Sequence, residues 1–442
     1  MMIKILADLE EKKQNDEIPD GYKKSEGYLI PKEWELVQFK SLFNRLTRKN
    51  KENNQNVLTI SAQQGLISQM DYYNTLYASE NKLGYSLLYK GDFAYNKSYS
   101  GDYAYGAIKQ LEAYDKGIVS PLYICFEAKE GTNAEFYNQY FESGIFNREI
   151  YKIAQEGARN HGLLNVSTDD FFDSFLVFPS VEEQKKIAKI LLQCDKMIKL
   201  KEERIEEEQK RKKLLLENLF CTGSKVNRKQ GLNEDLEEYC VADIMEVITD
   251  YVAAGSFADI AKNVVYKTNS GYAQLIRTVD IKNNFNNGDF VYVDQRAYEY
   301  LYRVDMGEDC IVMPNIGANI GEVYYVDTQK LPAERNVLGP NAILLKSKKV
   351  NLKYVFYLFN TDKFLFDLFK CVGASGQPKF NKGDLKKIRV KIHNRQDQEM
   401  IAQILEACDK KILLLVQDCA EWKKKKKALM QLLLSGIVRV NI

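Results

Sequence analysis

Two stretches of the chain carry apolar residues at the spacing of a coiled-coil seam. In each stretch the seam positions step alternately by three and four residues, which places one stripe along a helix. Such a stripe must be covered by another helix. The predicted seam residues are Leu191, Cys194, Ile198, Ile205, Leu215 and Leu219 in the first stretch, and Leu405, Cys408, Ile412, Leu415, Cys419, Trp422, Leu429 and Leu433 in the second.

The two predicted helices are expected to pair with each other. The first seam also contains Lys201, Glu208 and Lys212, whereas the second is apolar almost throughout. Neither is therefore a uniform self-pairing zipper. A helix of about forty residues is roughly 60 Å long, which is typical of a spacer. The alternative is that both are long helices of a bundle inside a larger core.

The same two stretches are copies of each other. Residues 170–220 recur without a gap as residues 384–434, a shift of 214 positions that aligns, for example, Gln184 with Gln398 and Asp195 with Asp409. Solenoids and propellers have periods of about 20–50 residues, so this longer period indicates duplication of a whole domain with its connector. The sequence therefore predicts a pseudo-symmetric molecule.

Outside the predicted helices, the pattern changes to short alternating runs bounded by turn residues. Such runs at 57–61, 122–126, 290–293 and 322–326 predict strands, and amphipathic stretches at 136–146 and 352–369 predict helices. The predicted fold class is α+β, with two mixed α/β globules separated by two long, antiparallel coiled-coil helices with pseudo-twofold symmetry.

The predicted domain boundaries follow from these patterns. They are 1–30 for an N-terminal helical or lead-in segment, 31–180 for the first globule, 181–222 for the central helix, 223–235 for a linker, 236–394 for the second globule, 395–436 for the distal helix and 437–442 for a tail. Residues 1–20 are expected to form a short helix that docks near the end of the distal helix.

Composition narrows the class of protein. A chain of 442 residues with 45% hydrophobic residues is large enough for two or three cores. A net charge of +2 argues against a non-specific polycation. The eight cysteines include no C-x-x-C pair, and no apolar run is long enough to span a bilayer. We therefore expect reduced thiols and a cytoplasmic location.

The residues also argue against catalysis by this chain. None of the eight prolines is followed by another, as a flipped-base methyltransferase site of the Pro-Pro type requires, and no G-x-x-x-x-G-K-[ST] phosphate loop is present. No acidic-x-Lys pair at useful spacing suggests a nuclease. The only histidines, His161 and His393, are too far apart in sequence to support a histidine metal cluster. We expect no enzyme activity and no metal site.

Three segments resemble the specificity (S) subunits of type I restriction-modification systems. The first, 22–35, reads Tyr-Lys-Lys-Ser-Glu-Gly-Tyr-Leu-Ile-Pro-Lys-Glu-Trp-Glu and is similar to the lead-in of a first target-recognition domain. The second joins Phe-Pro at 178–179 to Glu-Glu-Gln-Lys-Lys-Ile-Ala at 182–188 and Lys-Lys-Leu-Leu at 212–215, and the third is the distal copy ending in Ser435-Gly436. The second globule departs from the pattern because it lacks Ile-Pro-x-x-Trp, and His393 stands where the first copy has Pro179.

The resemblance implies a non-catalytic DNA-recognition subunit. Such a subunit reads a bipartite, asymmetric site in double-stranded DNA through two target-recognition domains, and binds two methyltransferase (modification) subunits. Through them it binds restriction/translocase subunits. S-adenosylmethionine, ATP and Mg are then expected only in the partner subunits, with no cofactor in this chain. The alternatives are a coiled-coil interaction scaffold that does not bind DNA, a specificity module of a methyltransferase-only system, and a fused enzyme active by itself.

Candidate DNA contacts are polar loop residues, because Arg, Lys, Asn and Gln supply the hydrogen bonds that read base edges. For each of them a solvated loop side chain is the alternative. The candidates are Gln63, Gln64, Lys97, Tyr99, Arg159, Asn160 and His161 in the first globule, and Arg277, Asn315, Asn319, Ser375, Gln377 and Lys379 in the second. The length of the helices is expected to set the number of unread base pairs between the half-sites.

Overall fold

The computed structural model of the chain describes residues 18–61, 64–75, 81–98, 103–154, 164–221, 223–233, 235–286, 288–373 and 378–440. The chain divides into two compact units. Unit 1 comprises Met1–Glu202 and Gln417–Ile442, and unit 2 comprises Glu203–Val416. Each unit therefore contains one globule, one segment of the central helix and one segment of the distal helix.

The globule of unit 1 is built from twelve strands and five short helices among its described residues. The strands are β1 (Tyr22–Ser25), β2 (Tyr28–Pro31), β3 (Glu35–Gln38), β4 (Phe43–Arg45), β5 (Leu58–Ser61), β6 (Gly65–Ser68), β7 (Ser86–Tyr89), β8 (Phe93–Asn96), β9 (Ala107–Gln110), β10 (Lys116–Val119), β11 (Ile124–Ala128) and β12 (Phe175–Phe178). The helices are α1 (Phe39–Leu42), α2 (Gln69–Tyr73), α3 (Ala134–Glu142), α4 (Asn147–Ile153) and α5 (Thr168–Asp173).

The long helices and unit 2 complete the described elements. The central helix is α6 (Val181–Leu219), and the distal helix is α15 (Arg395–Leu434). The other helices of unit 2 are α7 (Lys225–Gln230), α8 (Val241–Ile244), α9 (Phe257–Asn263), α10 (Thr278–Lys282), α11 (Gln295–Tyr300), α12 (Leu352–Phe359), α13 (Asp362–Lys370) and α14 (Lys382–Lys387). Its strands are β13 (Glu237–Cys240), β14 (Val247–Asp250), β15 (Ala273–Ile276), β16 (Val291–Val293), β17 (Cys310–Pro314), β18 (Tyr324–Val326), β19 (Asn336–Leu338), β20 (Ala342–Lys346) and β21 (Arg389–Ile392).

Each globule contains its own four-stranded sheet, and the two sheets have the same topology. In unit 1 a four-stranded antiparallel sheet has the order β4-β11-β8-β9, and in unit 2 the order is β14-β20-β17-β18. Since the strands follow the same succession along the chain, the globules are structural repeats. A second pair of strands, β3 with β12 and β13 with β21, closes each globule where it meets a long helix. The predicted α+β class with two mixed globules is thus confirmed.

The remaining strands differ between the globules. Unit 1 adds three antiparallel pairs, β1-β2, β5-β6 and β7-β10, whereas unit 2 adds the three-stranded sheet β16-β15-β19, in which β15 and β19 are parallel. The core of unit 1 is aromatic: the rings of Phe93 and Phe126 stack 5.2 Å apart, and Phe39 and Phe43 lie edge-on to Phe126. The two globules thus pack different elements around sheets of the same topology, which is consistent with their different sequences.

Within each unit, α6 and α15 run antiparallel. In unit 1, Asp195 pairs with Lys426 and Lys201 with Asp418, and in unit 2, Glu208 pairs with Lys411. Numbers rise along α6 while the partner numbers fall along α15. The predicted seam residues are buried or half-buried, whereas Leu200, Leu214, Leu413 and Leu414 between them are exposed. The antiparallel pairing of the two helices is therefore confirmed, and the burial pattern is consistent with the predicted seam.

Both long helices end slightly earlier than the predicted limits of 222 and 436. After Leu219, the side-chain amide of Asn227 donates to the carbonyl oxygens of Leu219 and Cys221, at 3.3 and 3.0 Å. After Leu434, Gly436 has φ +74°, and a Cβ there would lie 2.5 Å from Pro31. The linker itself contains α7, and the amphipathic stretch 352–369 is two helices, because Thr361 caps α13.

The lead-in is not helical in its described part. Strands β1 and β2 form a hairpin, and Glu26 (φ +46°) and Gly27 (φ +77°) make the tight turn between them. Two consecutive positive φ values are incompatible with an α-helix, so a helical structure was the wrong expectation for residues 22–30. The short docking helix expected at residues 1–20 lies outside the described residues, apart from its last three positions. The Tyr22 hydroxyl donates to the Gly436 carbonyl at 3.0 Å.

His393, at the point where β21 leads into α15, is buried. Its Nδ1 lies 2.9 Å from the Tyr354 hydroxyl, and burial lowers its pKa, an effect that the charge of Asp397 partly offsets.

Because the unfolded chain binds a proton on His393 more readily than the folded chain does, unit 2 should lose stability as the pH falls below about 6.5 toward the folded-state pKa. Hydrogen exchange of α12 peptides between pH 7.5 and 5 measures this. In His393→Phe the imidazole-dependent loss should disappear, and an unchanged pH profile would contradict the assignment.

Candidate nucleic-acid interface

In unit 1, two loops that are distant in sequence meet at the end of β8. The backbone N–H of Leu164 donates to the carbonyl of Lys97 at 3.0 Å, and the Lys97 ammonium donates to the Val166 carbonyl at 3.4 Å. Lys97 after β8 and residues 164–166 before α5 are thus held side by side. Candidates Tyr99, Arg159, Asn160 and His161 belong to these segments but lie outside the described residues.

Unit 2 repeats this arrangement at the end of β17. The N–H of Gly317 donates to the Pro378 carbonyl, and the N–H of Phe380 donates to the Asn315 carbonyl, each at 3.1 Å. Ile316 and Lys379 form a β-bridge. Strands β8 and β17 occupy the same position in the four-stranded sheets of their respective globules, so the two pairs of loops are equivalent. We call them the paired loops of unit 1 (residues 97–98 and 164–166) and of unit 2 (315–321 and 378–380).

The candidates in the paired loops differ in how firmly they are held. The Asn315 amide donates to the Phe380 carbonyl at 3.3 Å, and its buried Oδ1 has no hydrogen-bond partner among the described residues. The Asn319 Oδ1 accepts from the Lys282 ammonium at 3.1 Å. Lys379 is exposed. Asn315 therefore shapes the loops, while Asn319 and Lys379 present polar groups at their surface. Ser375 and Gln377 lie outside the described residues.

Arg277 is tied to carboxylates. Its Nη2 donates to Asp280 at 2.7 Å and to the backbone carbonyl of Asp289 at 2.6 Å, and its Nε donates to Asp280 at 3.1 Å. Hydrogen bonding to Asp280 raises the pKa of Arg277 further above its already high value. A contact of this guanidinium with a base would replace one of these bonds, and its predicted DNA contact stays a prediction.

Gln64 lies at the turn between β5 and β6 and is exposed, whereas Gln63 is outside the described residues. With Tyr103 and Tyr105 it lines a cavity of about 1300 Å³ within unit 1, which also reaches Glu142 and Lys426. Tyr103 follows the segment 99–102. Gln64 therefore lies outside the paired loops.

Sequence reasoning missed Lys282. Its ammonium contacts both Asn319 and the Glu322 carboxylate, the latter at 2.6 Å. Although burial acts in the opposite direction, hydrogen bonds from Lys282 and Tyr324 hold the pKa of Glu322 below its usual value. No local pattern marks Lys282, because the residues it meets are some forty positions away. Among the described residues, no group of three or more His, Cys, Asp or Glu side chains could hold a metal ion, and no helix is long and apolar enough to cross a membrane.

Comparison with known proteins gives one consistent result. Residues 233–420 match the family model described as type I restriction modification DNA specificity domain. The type I restriction enzyme MjaVIII specificity subunit of Methanocaldococcus jannaschii is 23% identical over 436 residues, covering 96% of this chain and 97% of that protein. The putative type I restriction enzyme MjaX specificity subunit of the same organism is 24% identical over 436 residues, with the same coverage.

Solved structures share the fold at low identity. A chain from a study of complex assembly and conformational transition of the type I R-M system has a TM-score of 0.58 at 12% identity, covering 93% of this chain and 100% of that one. The type I restriction-modification S subunit from M. genitalium has a TM-score of 0.50 at 13% identity, covering 95% and 98%. The chain is thus similar over almost its whole length to type I restriction enzyme specificity subunits, shares their fold, and matches the family's DNA specificity domain over residues 233–420.

Proposed function

We propose that this chain reads a bipartite, asymmetric site in double-stranded DNA, with one half-site for each globule. The observation that carries the proposal is the repetition of the paired loops. The two sets of paired loops lie at the ends of corresponding strands, β8 in unit 1 and β17 in unit 2. They present different residues, Lys97 in unit 1 and Asn319 with Lys379 in unit 2. Equivalent platforms with unlike side chains suit two unlike half-sites, because base edges are distinguished by the donors and acceptors that face them.

The chain directs methylation and performs none itself. We propose that it binds two methyltransferase subunits and, through them, restriction/translocase subunits, with S-adenosylmethionine, ATP and Mg bound by those partners. The repeat supports two equivalent partner sites. Leu200 on α6 and Leu414 on α15 are equivalent by the shift of 214 positions, and they are 50% and 56% exposed. An apolar residue that is exposed at the same position of both copies suits the binding of two copies of one partner.

The test is to express the chain with its cognate methyltransferase subunit in a methylation-free host and to map modified bases by single-molecule sequencing. We expect one split motif, with one modified adenine on each strand, and no methylation by the purified chain alone. Co-purification of the two proteins without new modification would point to a scaffold or to an inactive system, and sequence-dependent duplex binding by the complex would exclude the scaffold. Methylation by the chain alone would indicate a fused enzyme.

Single substitutions in the paired loops should separate the half-sites. Lys97→Ala is expected to weaken binding through the first half-site and Lys379→Ala through the second, each by about 1–3 kcal/mol if the side chain contacts a base. Competition binding with duplexes altered in one half measures this. Lys391→Ala, at an exposed position of β21, is the matched control and should leave both half-sites unchanged. Equal effects of Lys97→Ala on both half-sites would contradict the assignment of one globule to each.

A further inference from the structure

In unit 1, Asp195 of α6 lies at a junction of three helices. Its Oδ2 accepts a hydrogen bond from the Gln139 amide of α3 at 2.8 Å, and its Oδ1 accepts from the Lys426 ammonium of α15 at 2.5 Å. Each carboxylate oxygen thus serves a different neighbour. One bond holds the globule, and the other holds the second long helix.

In unit 2, Asp409 of α15 makes the same junction. Its Oδ2 accepts from the Tyr357 hydroxyl of α12 at 2.7 Å, and its Oδ1 accepts from the Lys212 ammonium of α6. Asp409 is the repeat of Asp195, and Lys426 is the repeat of Lys212, at the shift of 214 positions. The donor on the globule side has changed from an amide to a hydroxyl, but the geometry of the carboxylate is kept.

A second attachment lies eleven positions earlier on each long helix. The side-chain oxygen of Gln184 accepts from the backbone N–H of Asn133, the residue that caps α3, at 3.0 Å. The side-chain oxygen of Gln398 accepts from the N–H of Asn351, the cap of α12, at 2.9 Å. Both glutamines are buried, and their amides donate to the carbonyls of Pro179 and His393.

The two attachments together fix the orientation of each globule helix, α3 or α12, on its long helix. Eleven residues along a helix correspond to about 16 Å, so each globule helix is held at two well-separated levels of its long helix. Gln139 and Tyr357 each lie six positions after the capping asparagine. With the glutamine alone, the globule helix could pivot about its first turn. The hydrogen bond to the aspartate prevents this pivoting. The same aspartate also binds a lysine of the other long helix, so the globule helix is connected to both long helices.

We propose that Asp195 and Asp409 are positioning residues that set the angle of each DNA-reading globule on the paired helices, and with it the single gap length that the chain accepts between half-sites. The inference rests on the proposed function. It follows from the geometry of the carboxylate: each of its two oxygens accepts from one donor, an amide or hydroxyl on the globule side and an ammonium on the helix side, and its negative charge pairs with that ammonium. An asparagine offers one oxygen, and its NH₂ would face a donor.

The sharpest variant is Tyr357→Phe, which removes the hydroxyl that reaches Asp409 and leaves the ring and the Asp409–Lys212 pair in place. In unit 1, Gln139→Met removes the corresponding donor at similar length. The complex with the methyltransferase subunits is tested for binding to duplexes that carry both half-sites at the native gap, one base pair less and one base pair more. We expect the preference for the native gap to fall at least fivefold, while affinity for the native duplex changes less than threefold.

Two controls separate positioning from general weakening. Tyr298→Phe removes another tyrosine–aspartate bond, the 2.9 Å contact with Asp305, which lies entirely within the globule of unit 2. Asp418→Ala removes the cross-helix pair with Lys201, and among the described contacts Asp418 receives no donor from the globule. Both controls should keep the native gap preference.

The outcomes distinguish the proposal from the function on which it rests. If the wild-type complex shows no split site, the proposed function fails. If the wild-type complex has a fixed gap and Tyr357→Phe keeps it, the positioning role is wrong and the function stands. Hydrogen exchange of α12 monitors folding: an intact α12 with an unchanged gap preference overturns the proposal, and a relaxed gap in Tyr357→Phe but not in Tyr298→Phe supports it.

Discussion

Replacement of Glu183 by alanine is expected to lower the free energy of unfolding of unit 1 by about 2–4 kcal/mol. Glu183 lies in the first turn of α6 and is 1% exposed. Its carboxylate accepts from the Trp34 indole N–H at 2.9 Å and from both Nε and Nη2 of Arg439, at 2.7 and 2.9 Å. Without it, a buried indole N–H and a partly buried guanidinium lose their acceptor, and the segment after α15 loses its anchor.

The size of the effect follows from burial. Breaking a fully buried ion pair costs about 3–5 kcal/mol, and the Arg439 side chain is 34% exposed, so water recovers part of the loss. Arg439 also pairs with Glu33 at 2.7 Å, which keeps one partner for its charge. Glu183→Gln, which retains an acceptor for Trp34 but no charge for Arg439, should fall between the wild type and the alanine variant.

The measurement can be confined to unit 1. The chain has two tryptophans, Trp34 and Trp422, and both belong to unit 1, so tryptophan fluorescence during denaturation reports that unit, while far-ultraviolet circular dichroism reports both units. Glu182→Ala, at the exposed neighbouring position in the same turn, is the control and should change stability by less than about 0.5 kcal/mol. Equal shifts for Glu182→Ala and Glu183→Ala would show that the helix start is affected and that the buried carboxylate is not the cause.

The long helices could be predicted from the sequence because their signal is local and repeated. The three-four spacing from Leu191 to Leu219 and its copy at Leu405 to Leu433 report directly which face is covered, and the structure buries that face. The ends of the helices were less certain, because they depend on distant contacts such as the Asn227 amide on the Leu219 carbonyl. The hairpin in the lead-in was not predicted, because the residues of this segment are compatible with several secondary structures. The positive φ of Glu26 depends on the folded structure and not on a local sequence pattern.

The candidate interface could be predicted only in outline. A polar loop such as that at Asn315 and Asn319 is visible in the sequence, but its pairing with Lys379 depends on a chain reversal of some sixty residues. The same holds for the junction at Asp409, whose partners Tyr357 and Lys212 come from separate elements. The exact repeat of Gln184 and Asp195 at Gln398 and Asp409 was visible from the start. Its meaning required the positions of α3 and α12.

The largest functional effect is expected from lengthening the paired helices, which we propose act as a ruler for the gap between half-sites. Four residues inserted before Glu208 in α6 and four after Lys411 in α15 extend both helices at the level of one ion pair. The added rise is about 6 Å and the added rotation about 40°, because each residue contributes 1.5 Å and about 100°. One to two base pairs of DNA contribute about 3.4–6.8 Å of rise.

The extended chain should therefore modify a site whose gap is one or two base pairs longer and lose most modification at the native site, with both half-site sequences unchanged. Mapping of modified bases with the cognate methyltransferase subunit measures both. The same four residues inserted at the exposed Gly231 in the linker are the control and should leave the gap as it is. A native gap in the helix-extended chain would refute the ruler, because a rigid pair of helices cannot grow by a turn and hold the two globules at an unchanged separation on DNA.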